Sequence, residues 1–514
     1  MRKISIDLTP EQYHVKELMQ RSVARETGMA SSEIGDIRIC HRTLDCRRRN
    51  IVYHTDIEIY TKGETTPDTN TYTPPKPVKA NARRVVVVGA GPAGLFASLQ
   101  LLEHGIRPII VERGKPVEER KYDIALLGRE QVINPDSNWC FGEGGAGTYS
   151  DGKLYTRSTK RGDVGAVLNT FVAHGADPEI MLDAHAHIGT DRLSGIIARM
   201  RETIVSCGGE YLFNTHLEDL IVRDNHVQGI IDQHGNRIDG DAVILCTGHS
   251  ARDIYHLFQR RGWPLEAKPF ALGLRVEHPQ KLINEIQYHG ANHSPYLPPA
   301  AYSLTTQVGQ HGVFSFCMCP GGVIVPAATA PGQQVVNGMS NHRRNSPFAN
   351  SGIAVTVAPN DVEDNDTLAL LRFQQQVEQQ MYHAGGDSVS APSQRLVDFL
   401  QRRSSSTLGH TGYMGHVTTA PLHELLPTFI VDALIQGFKD FDRKMHGFIS
   451  EEATLLAVES RTSSPVRIPR DRNTLQHILL QGLYPCGEGA GYAGGIVSSA
   501  LDGIRCADAV SLQK

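Results

Sequence analysis

An apolar run after Arg84 ends at a glycine-rich turn. Residues 85–88 are all valine, as in a strand whose two faces are buried in a parallel sheet. Apolar residues then recur at helical spacing from Pro92 until Gly105, and a second buried strand is predicted over 108–111. The order strand, turn, helix, strand predicts a βαβ unit in an α/β domain.

The turn of this unit carries three glycines at G-x-G-x-x-G spacing, namely Gly89, Gly91 and Gly94. The first allows the bend, the second lets a pyrophosphate approach the backbone, and the third lets the helix pack close to the strand. Glu112 follows the second strand, where a carboxylate can accept hydrogen bonds from a ribose. Together these features predict that the unit binds FAD.

Residues 1–62 predict a separate βαββ unit. Alternating apolar positions indicate a strand at the N-terminus and two more over 37–44 and 51–60. A capping box with Thr9 as its first residue predicts a helix that runs to about Gly28. Strand alternation at the N-terminus also argues against a signal peptide.

A basic turn, Arg47 to Arg49, joins the last two strands of this unit. It could contact RNA, but eleven Lys and Arg against nine Asp and Glu in residues 1–62 leave a net charge of only +2, which favours a solvated turn. Residues 63–82 are rich in proline and threonine and predict a linker. The linker sets the boundary of the unit.

The remaining chain divides into three parts. Residues 83–263 are predicted to form the first part of the FAD-binding domain, 264–450 an inserted substrate or cap domain, and 451–514 the C-terminal part of the FAD-binding domain. The first part should include paired strands over 212–232 and a buried strand over 241–246 that stops beside the dinucleotide. Near the end of the chain, a strand closing at Pro485 should precede a glycine-rich turn and a final helix.

Three motifs admit more than one interpretation. The loop from Phe141 to Leu154 imitates a P-loop, but Leu154 replaces the Ser or Thr that would hold magnesium, so close approach of backbone amides to a ligand is the favoured role. His185 and His187 lack a third ligand at suitable spacing, so packing or hydrogen-bonding roles are favoured over a metal site. Cys317 and Cys319 would share one face of a strand, as either a redox pair or packing residues.

Composition restricts the class of protein. The 514 residues are 40% hydrophobic and 21% charged with a net charge of −4, which favours neither a nucleic acid nor an anionic membrane as partner. Nine cysteines without C-x-x-C spacing indicate reduced thiols and a cytoplasmic location. No apolar run is long enough to predict a membrane-spanning helix.

These residues resemble the bacterial FAD-dependent dehydrogenases of largely uncharacterised function, within the two-dinucleotide-binding-domain flavoproteins. The likeness covers nearly the whole chain and is carried by motifs such as VVVVGAGPAGLFAS, FGEGGAGTYSDGKL, FCMCPGG and LYPCGEGAGYAGGIVSSALDGI. It implies an α/β fold in which a Rossmann-like FAD-binding domain is interrupted by an inserted mixed β domain, with a small N-terminal α+β ferredoxin-like domain. The FAD-binding positions that it implies are Gly89, Gly91, Gly94, Glu112, Arg113, Gly144, Gly145, Ala146, Gly147, Leu217, Gly248, Glu488, Gly494, Gly495 and Ile496.

Some of these positions have a stated chemical role. Glu488 can bind ribityl hydroxyls, and the helix that begins near Ile496 can place amides at the flavin N1 and O2 atoms. Arg113 could touch the adenine edge or form a surface ion pair.

The expected function is that of an FAD-dependent oxidoreductase that transfers a hydride at flavin N5 to or from a small, anionic substrate. Arg461 is the main candidate to bind that substrate, with Arg467 beside it and Cys319 as a weaker catalytic candidate; both arginines could instead brace the insert against the FAD-binding domain. The electron donor or acceptor is unknown, and no second glycine-rich unit predicts a nicotinamide site. A flavoprotein that acts near RNA and an FAD-binding regulatory protein without turnover are the alternatives.

Overall fold

The structure is a computed structural model that describes residues 1–67, 72–156, 162–290, 294–364 and 366–513. The parallel sheet expected of an α/β protein is present. Part of the predicted linker, residues 68–71, lies outside the described residues.

The N-terminal unit has the predicted βαββ order. Its elements are β1 (Arg2–Leu8), α1 (Pro10–His14), α2 (Lys16–Thr27), β2 (Ile34–Asp45) and β3 (Val52–Thr61). The strands form an antiparallel sheet in the order β1-β3-β2. The capping box at Thr9 and the left-handed Gly28 at the helix end are both present, but the single predicted helix is wrong, because Val15 is extended (φ −101°, ψ 108°) and divides it.

The first part of the FAD-binding domain begins with the predicted βαβ unit. Its elements are β4 (Arg84–Val88), α3 (Pro92–Glu103), β5 (Arg107–Val111), α4 (Val117–Glu130), α5 (Val164–Ala173), α6 (Thr190–Ser206), β6 (Glu210–Leu212), β7 (Leu217–Arg223), β8 (His226–Asp232), β9 (Arg237–Asp239), β10 (Ala242–Leu245) and α7 (Arg252–Arg261). The paired strands predicted over 212–232 are β7 and β8, and the turn between them has positive φ at Asp224 and Asn225. Leu212, however, belongs to β6 and so to the parallel sheet.

The insert contains a second, larger sheet. Its elements are β11 (Glu266–Ala267), β12 (Phe270–Pro279), α8 (Gln280–Gln287), β13 (Thr305–Val308), β14 (His311–Cys319), β15 (Val323–Pro326), β16 (Val336–Met339), β17 (Phe348–Val357), α9 (Ala369–Ala384), β18 (Ala391–Arg395), α10 (Leu396–Leu400), β19 (Val417–Thr419), α11 (Leu422–Leu425), α12 (Thr428–Lys444) and β20 (Thr454–Glu459). Seven strands pair in the order β13-β14-β17-β12-β20-β18-β19. Strand β20 follows residue 450, where the sequence predicts the end of the insert, and it pairs with β12 and β18 in this sheet.

The chain then returns to the parallel sheet. After β21 (Val466–Arg467), which pairs with β11, come β22 (Leu483–Pro485) and α13 (Ile496–Ser511). The parallel sheet has the order β22-β10-β4-β5-β6. Because its strands are parallel, their carboxyl ends meet at one edge, which is where such sheets bind ligands.

The N-terminal unit and part of the linker contact the rest of the chain. Arg42 forms an ion pair with Asp183 at 2.6 Å, and its backbone carbonyl accepts a hydrogen bond from Ala184 N. Pro75 is buried, and its carbonyl oxygen accepts a hydrogen bond from the Cys207 thiol. The second half of the linker therefore packs on the FAD-binding domain, although its composition suggested little to bury.

Candidate functional site

A cavity of about 360 Å³ lies between the carboxyl edge of the parallel sheet and the sheet of the insert. The FAD-binding domain contributes the residues that follow β4, β5 and β10, together with the start of α13. The insert contributes side chains from three of its strands, at Phe316 and Cys317, at Asn337, and at Glu459. Both parts of the chain therefore build one site.

The glycine turn leaves room for a ligand on one side only. Gly89 (φ +104°) and Gly91 line the cavity, and a Cβ on Gly91 would find its nearest neighbour, Gly145 Cα, only at 3.8 Å. Gly94 faces away from the cavity, since an added Cβ would overlap the Gly89 carbonyl; this is the close packing of helix on strand.

Two helix N-termini also open into the cavity. Helix α3 begins after Gly91 and α13 after Gly495, and neither start has a side-chain cap or an acidic residue in its first turn. Free backbone amides and the positive end of the helix dipole suit the phosphates and pyrimidine oxygens of a dinucleotide. This glycine cradle fits FAD.

The Glu112 carboxylate lies at the end of β5 and is buried. It accepts backbone hydrogen bonds from Ala90 (2.8 Å), Gly114 (2.9 Å) and Gly142 (3.0 Å), so it ties the glycine turn to the loop that follows. A carboxylate offers about four acceptor positions, so one remains for a ribose hydroxyl.

The glycine-rich loop after α4 is held in place by Arg120, which the sequence analysis missed. This fully buried guanidinium donates to the carbonyls of Asn138 (2.8 Å), Glu143 (2.8 Å) and Gly145 (2.9 Å). Apart from the Thr148 hydroxyl, its partners are backbone carbonyls, so no sequence motif identifies it. Gly145, Ala146 and Gly147 line the cavity, whereas a Cβ on Gly144 would meet Thr148 and Ile197, so the role of Gly144 is to fold the loop.

Leu217, Gly248 and Arg113 also line the cavity. The Arg113 guanidinium is 3.3 Å from Asp136 and 3.2 Å from Asp253, and it stacks 4.3 Å from the centre of the Phe141 ring. The ion-pair interpretation of Arg113 is therefore present in the structure, although its side chain still lines the cavity.

His249, which the sequence analysis did not select, lines the cavity together with the residues at the start of α13. His249 Nδ1 is 3.5 Å from the Glu488 carboxylate, and both residues line the cavity with Gly494, Gly495 and Ile496. His249 Nε2 is buried and has no protein partner. A buried polar atom at a cavity wall marks a place where a bound ligand can supply the partner.

Arg461 lines the cavity, but its guanidinium is already committed. It donates to Glu378 (3.1 and 3.2 Å), to Ser250 (3.1 Å), and to two side chains of the insert, Thr329 (2.7 Å) and Gln333 (3.0 Å). All five N–H groups thus have partners. The expected role in substrate binding does not fit this geometry, whereas the bracing role does.

Glu378 is the centre of this brace. It lies on α9 and accepts from Arg252 of α7 at 2.8 Å as well as from Arg461. Burial alone would raise its pKa, but the two guanidinium groups lower the pKa of Glu378 to about 2. Arg467 lies outside the cavity lining, 3.6 Å from Glu266.

Cys319, the weaker catalytic candidate from the sequence, does not line the cavity either. Its side chain is buried and absent from the cavity wall, whereas Cys317 lines the cavity. Next to Cys317 lies Lys153, whose Nζ donates to the Met318 carbonyl and lies 3.6 Å from Asp151. Lys153 lines the cavity, and its side chain remains 35% exposed.

The two candidate metal-binding histidines make other contacts. His187 stacks on His342 with ring centres 5.8 Å apart, and His185 contacts the Tyr155 ring at 5.0 Å. Among the described residues, the one group with metal-ligand spacing is Cys486, Asp502 and Cys506, and its Asp502 is already paired with Arg470 at 2.6 Å.

Comparison with known proteins assigns the family. Residues 82–121 match an FAD binding domain, residues 269–462 match the family described as FAD-dependent protein, C-terminal domain-like, and residues 1–60 match a domain of unknown function. An uncharacterised protein of Clostridium beijerinckii is 39% identical over 509 residues, which cover 96% of this chain and 95% of that protein. The chain belongs to this family of FAD-dependent proteins. FAD is thus its cofactor, as the sequence predicted.

Solved structures of flavoproteins are more distant. CtdE in complex with FAD has a TM-score of 0.33 and 12% identity, and covers 84% of each chain. A geranylgeranyl bacteriochlorophyll reductase-like protein from Thermoplasma acidophilum has a TM-score of 0.35 and 11% identity, and covers 83% of this chain and 78% of its own. Scores of this size support no statement about the reaction. Among the described residues, no helix is long and apolar enough to cross a membrane.

Proposed function

We propose that the protein is an FAD-dependent oxidoreductase that transfers a hydride between a small substrate and flavin N5. The observation that carries this proposal is the composition of the cavity wall, which the FAD-binding domain and the insert share. In this proposal the insert interrupts the FAD-binding domain as a separate substrate domain. Bound FAD supplies two-electron chemistry, and the protein supplies binding, orientation and charge.

The residues of the two walls have different tasks in this proposal. The amides at the start of α13 bind the negative charge that develops on the flavin pyrimidine. Lys153 replaces Arg461 as the cation that binds an acidic substrate, because Lys153 lines the cavity with a side chain that is 35% exposed, while the Arg461 donors are all used. Phe316 and Val336 cover the insert side with apolar surface and exclude water.

The first test is the flavin itself. The purified protein should be yellow, and acid precipitation should release FAD into the supernatant, since no covalent attachment motif is visible. A screen of small carboxylate metabolites should then find compounds that reduce or reoxidise the flavin under anaerobic conditions. A screen in which no compound changes the redox state would contradict an enzymatic function for the site.

A pair of variants tests the substrate side. Lys153→Met should keep FAD and lose the spectral perturbation that small carboxylates such as fumarate cause in the wild type. Lys121→Met, at an exposed position of α4, is the matched loss of a cation and should keep that perturbation. Equal perturbation in both variants would show that Lys153 does not bind the substrate.

The electron donor is part of the proposal as well. Among the described residues of the insert, the parallel strands β18 and β19 are joined through the short helix α10, and no G-x-G-x-x-G turn follows β18 to offer a second dinucleotide site. We therefore expect slow or no reduction by NADH or NADPH alone. Bleaching of the flavin within milliseconds of mixing with NADPH would instead make the protein a pyridine-nucleotide reductase.

A further inference from the structure

Strand β14 is irregular at the point where it reaches the cavity. Its pairing with β17 shifts register between Phe316 and Cys319, and Cys317 has φ +46°, in the left-handed region that non-glycine residues rarely adopt. Such bulges re-aim side chains and are frequent beside active sites. Here the bulge turns Cys317 to the cavity and leaves Cys319 behind it.

The bulge also brings the two thiols together. In a regular strand, residues two apart have Cα atoms about 6.6–6.8 Å apart, at the upper limit for a disulfide. At the bulge the Cys319 thiol donates a hydrogen bond to the Cys317 carbonyl oxygen at 3.2 Å, so it is directed back towards Cys317. The bulge thus brings the two cysteines close together, with Cys317 at the cavity wall.

The surroundings favour a thiolate at Cys317. The hydrogen bond from Cys319 and the positive charges of Lys153 and Arg275 hold the pKa of Cys317 below its usual value, against the effect of burial and of the Asp151 carboxylate. Glu459, which also lines the cavity, is paired with Arg275 at 2.7 Å, so its charge is compensated. A thiolate is the reactive form of cysteine in redox chemistry.

We propose that Cys317 and Cys319 form a redox-active pair that exchanges two electrons with the flavin. In the oxidative direction the Cys319 S–H bond breaks and one S–S bond forms, so that two electrons and one proton leave the Cys317 thiolate and the Cys319 thiol. The bound FAD accepts both electrons, together with that proton and one proton from solvent, and becomes FADH2, which balances the step. The pair thus serves as a second two-electron store beside the flavin. The inference rests on FAD binding alone and does not depend on the identity of the substrate.

An anaerobic reductive titration tests this store. Holoenzyme that has been reduced and then reoxidised in air should consume four electron equivalents per FAD, two for the flavin and two for the disulfide. Cys317→Ser and Cys319→Ser should each consume two. Cys207→Ser is the control, because Cys207 is buried outside the cavity and a serine can keep its hydrogen bond to the Pro75 carbonyl; it should consume four.

A second measurement needs no variant. Reoxidised wild-type holoenzyme is denatured in the presence of an alkylating agent and digested. The mass of the peptide that contains Cys317 and Cys319 is then measured by mass spectrometry. We expect an internal disulfide in that peptide and two alkyl groups once the enzyme has been reduced. Two electron equivalents per FAD in the wild type, together with full alkylation of both cysteines after reoxidation, would overturn the proposal.

Discussion

At the scale of single residues, the buried guanidinium groups determine how this molecule is held together. Arg252 and Arg461 share the Glu378 carboxylate, and these groups come from α7, from the segment after β20 and from α9. Each partner is removed from water, so the cluster stabilises the fold only when all three charged groups are present. The same arginine that the sequence offers for substrate binding thus joins the segment after β20 to α9 and to Ser250 before α7.

This use of Arg461 leads to a stability prediction. Arg461→Ala leaves Glu378 with one cation fewer in a buried site, and loss of one partner of a buried pair costs about 3–5 kcal/mol. The free energy of unfolding, measured in urea, should fall by an amount of this order. Arg467→Ala, which removes a partly exposed pair with Glu266, should cost about 1 kcal/mol or less.

The opposite outcome would restore the substrate-binding interpretation. If Arg461→Ala unfolded at the same urea concentration as the wild type and yet abolished the response of the flavin to carboxylates, Arg461 would be a ligand-binding residue. The Arg467→Ala variant is the control, because it removes an arginine close in sequence without touching the Glu378 cluster.

At the scale of elements, Glu277 on β12 is buried without a cation in hydrogen-bond contact. One carboxylate oxygen accepts a hydrogen bond from Gly412 N at 3.0 Å, and the other has no partner. Burial raises the pKa of Glu277 to about 7. In the folded chain, the Glu277 side chain of β12 is therefore more stable as the neutral carboxylic acid than as the carboxylate.

A pH dependence of stability follows from this carboxyl group. In the folded chain the carboxyl group keeps its proton up to pH about 7, whereas in the unfolded chain it loses the proton near its ordinary pKa of 4.5. Its contribution is complete below pH about 4.5 and is lost as the pH rises through about 7, in all roughly 3 kcal/mol. Compared with Glu277→Gln, the wild type should lose stability across this interval.

The comparison is made by denaturant unfolding at several pH values. Glu17→Gln, at an exposed position of α2, controls for the removal of one carboxyl group and should follow the wild type. A constant difference in unfolding free energy between wild type and Glu277→Gln from pH 4.5 to 7 would show that Glu277 is not protonated in the folded chain.

The elements also show what the sequence could and could not predict. Local signals predicted the glycine turn, the start of α13 and the capping box at Thr9, because each depends on residues close in sequence. The break at Val15 carries no glycine or proline, and so gave no signal. The order of strands in the insert depends on pairs far apart in the chain, such as β12 with β17, which periodicity cannot reveal.

The same limit applies to the candidate site. The residues expected to bind FAD line the cavity, apart from Gly94 and Gly144. Most of them are glycines in turns, where the residue type itself indicates the backbone conformation, so the sequence alone could identify them. The choice between Cys317 and Cys319 depends on a bulge, and the role of Arg461 depends on a glutamate from α9. Neither dependence is visible along the sequence.

At the scale of the whole molecule, the N-terminal unit stands apart from the cavity. Among the described residues, those that line the cavity begin at Val88, so residues 1–62 contribute none of them. The unit nevertheless touches both other parts of the chain, through the Arg42 pair with Asp183 and through a hydrogen bond between His289 and the Cys46 carbonyl. Ile51 also packs into the core of the insert.

Removal of this unit should therefore leave FAD bound and lower the stability of the rest. A chain that begins at Tyr72 is preferable to one that begins at Lys79, because Pro75 and Val78 bind the segment at Cys207, with Val78 N 2.9 Å from the Cys207 carbonyl. Its FAD content should equal that of the full chain, measured by flavin absorbance after acid release. Its thermal unfolding temperature should be lower, because Ile51 no longer covers its part of the insert. A truncated chain that folds by circular dichroism but binds no FAD would place the N-terminal unit in the cofactor site.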